Sequence, residues 1–318
     1  DALPGGMQDM TQAVAIGDDC AAIRDGDGYL LFAMEGMVNE FVHEMPWFAG
    51  YSAVMVNISD IYAMGGRPLA VVNALWSNGR INADKILQGM AAASQAYGVP
   101  IVGGHSNTRS SHDQLAVSIL GRAQRLLSSF NARPGDKLLM AIDMRGRFES
   151  VYPYWNATTQ VAPQRLRMDL EILPQLAESG LCDAAKDISM AGVLGTALML
   201  LECSSVGAQI DLARIPIPAT VPLLRWLSTF PSYGFVLSVR PQHAAAVCAL
   251  FQERHITCTA IGTVTADKTV VLKQGDEEAQ LWDFAQSTFI LPPTSAQASR
   301  AGATPGVEAR QEVRHASG

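Results

Sequence analysis

The sequence is sparing in the features that mark many common function classes. Cysteine is scarce: Cys20, Cys182, Cys203, Cys248 and Cys258 are scattered, odd in number and without a Cys-x-x-Cys pair. That excludes a disulfide frame or cysteine zinc site and points to reduced thiols in a cytoplasmic protein. No apolar run reaches the length of a membrane span and no signal peptide opens the chain, so no membrane partner is expected. The first residue is Asp1 rather than Met, which leaves room for natural residues upstream. A basic block is also missing. With a net charge of −7 and a pI near 5.4, nucleic acid is not an expected partner, and an anionic substrate would need local cations or metals. Finally, there is no Gly-x-x-x-x-Gly-Lys-Ser/Thr loop, no kinase lysine motif and no nucleophile elbow.

What remains is a globular chain of 318 residues, 48% hydrophobic, long enough for one large domain or two ordinary ones. The most informative stretch runs from Val54 to Pro68. Val54, Met55, Ile58, Ile61 and Tyr62 recur at helical spacing, and Gly65, Gly66 and Pro68 supply a stop and a turn. Asn57 and Asp60 lie one turn apart on that helix. A carboxylate in so apolar a helix must be bonded, paired or bound to metal.

Around this helix the chain falls into segments. Asp25-Gly26-Asp27-Gly28 between apolar runs predicts a β-hairpin. A strand at Leu69–Trp76, a helix at Ala83–Tyr97, Gly103-Gly104-His105-Ser106 and a strand at Gln114–Gly121 follow. This order predicts an α+β unit with helices on one sheet face, over residues 1–126. A turn at Asn131–Asp136 leads to a strand at Lys137–Ile142 and a second α/β unit over 127–293. There Gly146–Val161 reads as a loop and Leu170–Ala177 and Val193–Leu201 as helices. Phe235–Val239, Gln242–Arg254 and Cys258–Val264 read as strand, helix and strand. Residues 294–318 read as a disordered tail.

Acidic residues stand at element ends beside glycine or small residues: Asp18-Asp19 after Gly17, Glu35 before Gly36, Asp60, and Asp187 in Lys186-Asp187-Ile188-Ser189. Carboxylates converging on one site repel unless divalent cations neutralise them, and Mg²⁺ bridging nucleotide phosphates is the usual solution. Glycines let backbone N–H groups approach phosphate oxygens. Singly, each piece has a plain structural explanation: Gly-Asp-Asp as a turn, Gly-Gly as a bend, Arg133 as a surface arginine, His105 as a satisfied loop histidine.

Together and in order, IGDDCAAI, the glutamate, VNISDIYAMGGRPL, IVGGHSNTRS, LAVSILGRA, ARPGDKLL and KDISMAGVLG resemble the superfamily of aminoimidazole ribonucleotide synthetase. That superfamily also holds thiamine-monophosphate kinase, selenophosphate synthetase and the hydrogenase maturation protein that makes the cyanide ligand. The resemblance runs from Ile16 to Pro293. It implies a PurM-like two-domain architecture whose N-terminal domain joins a partner's strands in a dimeric β-barrel with flanking helices. It also implies an ATP- and Mg²⁺-dependent enzyme that phosphorylates or activates an oxygen of a small-molecule substrate, with ATP between the domains. Carried onto this chain, Asp18, Asp19, Glu35, Asp60 and Asp187 would serve the metal. Asp60, His105 and Asp187 would serve catalysis, and Gly103, Gly104, Arg133 and Ser189 the nucleotide.

Departures separate the chain from each known branch and suggest a related branch instead. His105 and Met190 stand where thiamine-monophosphate kinases carry aspartate, and their Gly-x-His-Phe is replaced by Asn39-Glu40-Phe41-Val42. No cysteine lies in residues 1–15, as selenophosphate synthetase would need, and none in the tail. The alternatives are thiamine-monophosphate kinase proper, a nucleotide-binding protein without catalysis, and a dimeric scaffold without a nucleotide site.

Overall fold

The computed structural model describes residues 15–150 and 152–291. The expected tail at 294–318, and the opening segment before Ala15, lie outside the described residues. In the first unit, β1 (Ala21–Asp25) and β2 (Gly28–Gly36) form the expected hairpin. They are followed by α1 (Asn39–Glu44), α2 (Pro46–Ala63), β3 (Arg67–Asn78), α3 (Arg80–Tyr97), β4 (Ile101–Asn107) and β5 (Arg109–Ala123). The strands lie in the order β1-β2-β5-β3-β4, with β4 parallel to β3 and the other pairs antiparallel. Successive residues of a strand face opposite ways, so each strand has two fates. Leu31, Val71, Leu75, Val117 and Ile119 are buried, while Phe32, Met34, Leu69, Val72 and Leu120 are exposed. Within one chain the sheet is open, with β1 and β4 at its edges.

Helix α2 is longer than its periodicity suggests, starting at Pro46 rather than near Val54. Proline suits a first helical turn. The helix is buried on nearly every side, because it packs between the sheet, α3 and the second unit. Its approach to α3 depends on small residues. A Cβ on Gly50 would run into the Ile86 carbonyl, and one on Gly89 into that of Trp47. The helix ends as expected at Gly65, with φ 74°.

The second unit contains β6 (Lys137–Ile142), β7 (Arg147–Phe148), β8 (Tyr154–Asn156), α4 (Pro163–Leu170), α5 (Ile172–Ser179), β9 (Ala184–Asp187) and α6 (Gly192–Cys203). It continues with β10 (Gly207–Asp211), α7 (Leu223–Leu227), β11 (Phe230–Pro231), β12 (Gly234–Val239), α8 (Pro241–Glu253), β13 (Thr257–Thr265), β14 (Thr269–Gln274) and β15 (Glu277–Asp283). Seven strands form one mixed sheet in the order β15-β14-β10-β13-β6-β12-β9. Strand β12 is buried throughout, and only Lys137 of β6 is partly open. One face of these strands (Leu139, Ala141, Phe235, Leu237) shares a continuous core with α2 and the first unit. The other (Leu138, Met140, Val236) packs with Val193, Ala197 and Leu201 of α6.

One expectation needs correction and another needs extending. The stretch 146–161 is not all loop: β7 and β8 pair with each other, and β11 completes a three-stranded ribbon. The helix expected at Leu170–Ala177 is α5, which starts at Ile172, and a further short helix, α4, precedes it across Glu171.

Candidate active site

Helix α2 delivers Asp60 to the seam between the two units, where it is 7% exposed. The Asp60 Oδ2 atom is buried without a hydrogen-bond partner among the described residues. Asn57, one turn earlier, donates its amide to the Ala53 carbonyl at 2.8 Å. Asp19 enters from the segment before β1 and Asp187 from the end of β9. The three aspartates offer carboxylate oxygens that all lie within 4.8 Å of one another. They line a cavity of about 410 Å³ together with Asp18, Glu35, Lys186 and Ser189. The rest of its wall is largely apolar, including Phe41, Met55, Tyr154 and Phe230.

Lys186, beside Asp187 on β9, places its ammonium against Asp19 Oδ1 across the seam. Asp18 is disposed of differently. Its carboxylate accepts the Ser129 hydroxyl at 2.6 Å, the Ser129 N–H at 2.9 Å and the Ser128 hydroxyl at 2.8 Å. The Gly-Asp-Asp pair is therefore divided: Asp19 joins the cluster, whereas Asp18, expected among the metal ligands, fastens the segment before β1 to the interdomain connection. Glu35 sits at the solvent-facing end of β2, on the cavity rim.

Burial sets the electrostatics. Asp60 is pushed well above the ordinary carboxylate range by desolvation, then by the charges of Asp187 and Asp19. Asp19 is raised to about 8, with desolvation outweighing the attraction of Lys186. Asp187 is raised to about 6 for the same reason, again against Lys186. Glu35 is raised by desolvation and by Asp19. The three aspartates lie close enough to titrate as one system. Three hard oxygen donors, one of them an orphaned buried atom, without histidine or thiolate among them, make a donor set that fits Mg²⁺.

Other expected residues stand apart from this cluster. Gly103, Gly104 and His105 are exposed on edge strand β4 and do not line the cavity. Their separation follows from β4 pairing only with β3, at the far side of the sheet from β2 and Glu35. Arg133 is exposed, lies 3.7 Å from Asp183, and is also outside the lining. Ser189 is at the cavity, its N–H donating to Thr196 Oγ1 at 3.2 Å. Sequence reasoning passed over Lys186, though it stands inside the quoted motif, and over Ser128 and Ser129, which carry no motif.

Family models for the N-terminal and C-terminal domains of AIR synthase related protein match residues 17–123 and 134–274. The uncharacterized protein sll0787 of Synechocystis sp. is 50% identical over 277 residues, covering 87% of this chain and 86% of its own length. Thiamine-monophosphate kinase of Pyrococcus horikoshii is 27% identical over 286 residues, covering 84% of this chain and 88% of its own. Among solved structures, T. maritima PurL complexed with ATP superposes with a TM-score of 0.70 at 22% identity, over 84% of this chain and 46% of that one. The chain thus spans under half of that PurL and shares its two-domain mixed α/β fold.

Proposed function

Because the chain belongs to the AIR synthase related family, we propose that it is an ATP- and Mg²⁺-dependent enzyme that phosphorylates or activates an oxygen of a small molecule. The observation that carries this reading is the orphaned Oδ2 of Asp60, buried beside Asp19 and Asp187 in a cavity at the seam of two units. A buried carboxylate oxygen without a partner costs several kcal/mol on the order of a lost charged contact, so it calls for a cation. Relatives named as kinases, and a neighbour of the same fold complexed with ATP, support the nucleotide.

Mg²⁺ held there would bridge and neutralise phosphate oxygens. The chain's own task is to fix that charge. Asp60 comes from one unit and Asp187 from the other, so their spacing depends on how the units pack. Burial keeps water from screening them. Glu35 and Ser189 add acceptors and a hydroxyl at the rim, and the apolar wall would seat the uncharged part of a ligand. Gly103, Gly104 and Arg133 toward the nucleotide, and His105 toward catalysis, would act from outside the cavity.

A homodimer through the first unit also belongs to this reading. The outer sheet face exposes Phe32, Met34, Leu69, Val72 and Leu120, an apolar surface that a second copy would cover and that would complete the β-barrel. A second reading, nucleotide binding without catalysis, is favoured by Met190, which is 56% exposed at the cavity and stands where thiamine-monophosphate kinases carry aspartate. ATP turnover screened against amides, amines and phosphates separates the two. Release of ADP that depends on one substrate class supports the enzyme; binding of MgATP without turnover on any class supports the second reading.

A further inference from the structure

Among the described residues Lys186 is the one lysine or arginine lining the acidic cavity, and its side chain is only 8% exposed. Its ammonium rests on Asp19 Oδ1, and the Asp19 side chain is itself 4% exposed. Five carboxylates line the same cavity: Asp18, Asp19, Glu35, Asp60 and Asp187. Asp18 is satisfied by Ser128 and Ser129, and Glu35 opens to solvent at the rim. The charge left to balance is that of Asp19, Asp60 and Asp187, of which Lys186 already meets Asp19.

We propose that Lys186 is a built-in cation that takes the place of one of two divalent ions, so that the site admits a single metal between Asp60, Asp187 and the remaining oxygen of Asp19. The inference rests on the metal-binding reading above. Its physical basis is charge and volume. An ammonium on Asp19 Oδ1 removes that oxygen as a ligand, and it repels a second cation within a few ångströms in a poorly screened site. Without the lysine, the three aspartates and Glu35 at the rim would carry four negative charges, enough to balance a pair of divalent ions, the arrangement in which two metals clamp both sides of a transferred group. Lys186 and Asp19 also come from different units, so the same pair latches the seam before any ligand arrives. Lys186 is thus a positioning residue for metal occupancy.

The test counts Mn²⁺ bound per chain by electron paramagnetic resonance, without nucleotide, at about pH 8. The wild-type chain and Lys186→Arg should bind one ion; Lys186→Met should bind two. Because Lys186→Met leaves Asp19 unpaired and could fail to fold, Lys186→Met/Asp19→Asn removes both members of the pair. It should fold and bind one ion. One ion in both wild type and a folded Lys186→Met overturns the inference and leaves the metal site standing, as does two ions in wild type. If Lys186→Met does not fold, Lys186→Gln, which keeps a neutral donor toward Asp19, takes its place: two ions support the inference and one ion overturns it. No ion in any of the chains overturns the metal-binding reading itself.

Discussion

Ser129 donates both its hydroxyl and its backbone N–H to the carboxylate of Asp18, at 2.6 and 2.9 Å. This joins the segment before β1 to the connection between the two units. Asp18 is thereby a structural anchor, and its neighbour Asp19 is left to face Asp60 and Asp187. Asp18→Ala removes the acceptor for four donors, the Asp19 N–H among them, so the chain should lose on the order of 2 kcal/mol or more of stability in urea unfolding. An unchanged unfolding midpoint would mean that this fastening contributes nothing.

The raised carboxyls predict an unusual pH dependence for the metal-free chain. Asp187 is raised to about 6 and Asp19 to about 8, both by burial. Their folded-state values lie above the unfolded ones, so the stability they contribute is present at acid pH and drains away as pH rises through that window. In EDTA, Tm should fall between about pH 4 and about pH 8, and Mg²⁺ should restore more of it at the alkaline end. Asp60→Asn, which removes one repelling charge, should flatten the profile. A Tm that rises across the window, in the absence of metal, would contradict the burial account.

The open sheet makes a prediction about mass. Val71 is buried against the helices, but its neighbour Val72 points outward and is 41% exposed. Val72→Glu should therefore leave the fold intact and act only on an interface. At micromolar concentration, sedimentation of the wild type should give about twice the 34.0 kDa chain mass, and Val72→Glu should give a folded monomer. A wild-type monomer would leave the outer face without the proposed partner.

Much of this architecture is legible in the sequence because it rests on local pattern. The apolar spacing of Val54–Tyr62, the glycines after it and the hairpin turn at Asp25–Gly28 fix their elements without help from distant residues. The ribbon at 146–161 is not legible, because its third strand, Phe230–Pro231, lies far along the chain. The β14–β15 hairpin was missed because β15 reads Glu277-Glu278-Ala279-Gln280, a polar edge strand with no buried face to set an alternation. At the site, the three aspartates carry the motif. Which of Asp18 and Asp19 is free, however, depends on two serines more than a hundred residues away, which no local spacing encodes. His105 and Arg133 carry the same kind of local signal as the residues that line the cavity; the strand order that puts β4 at the far edge of the sheet cannot be read from that signal.

The central claim is that Asp60 and its neighbours hold Mg²⁺ for a nucleotide, and calorimetric titration with a non-hydrolysable ATP analogue tests it most directly. In Mg²⁺ the wild-type chain should bind the analogue, and in EDTA binding should be lost. Asp60→Asn, folded and as stable as wild type or more so, should bind at least about 100-fold more weakly, the cost of one ligand carboxylate in a poorly screened site. No binding by wild type at millimolar nucleotide, or equal binding by Asp60→Asn, would contradict the account.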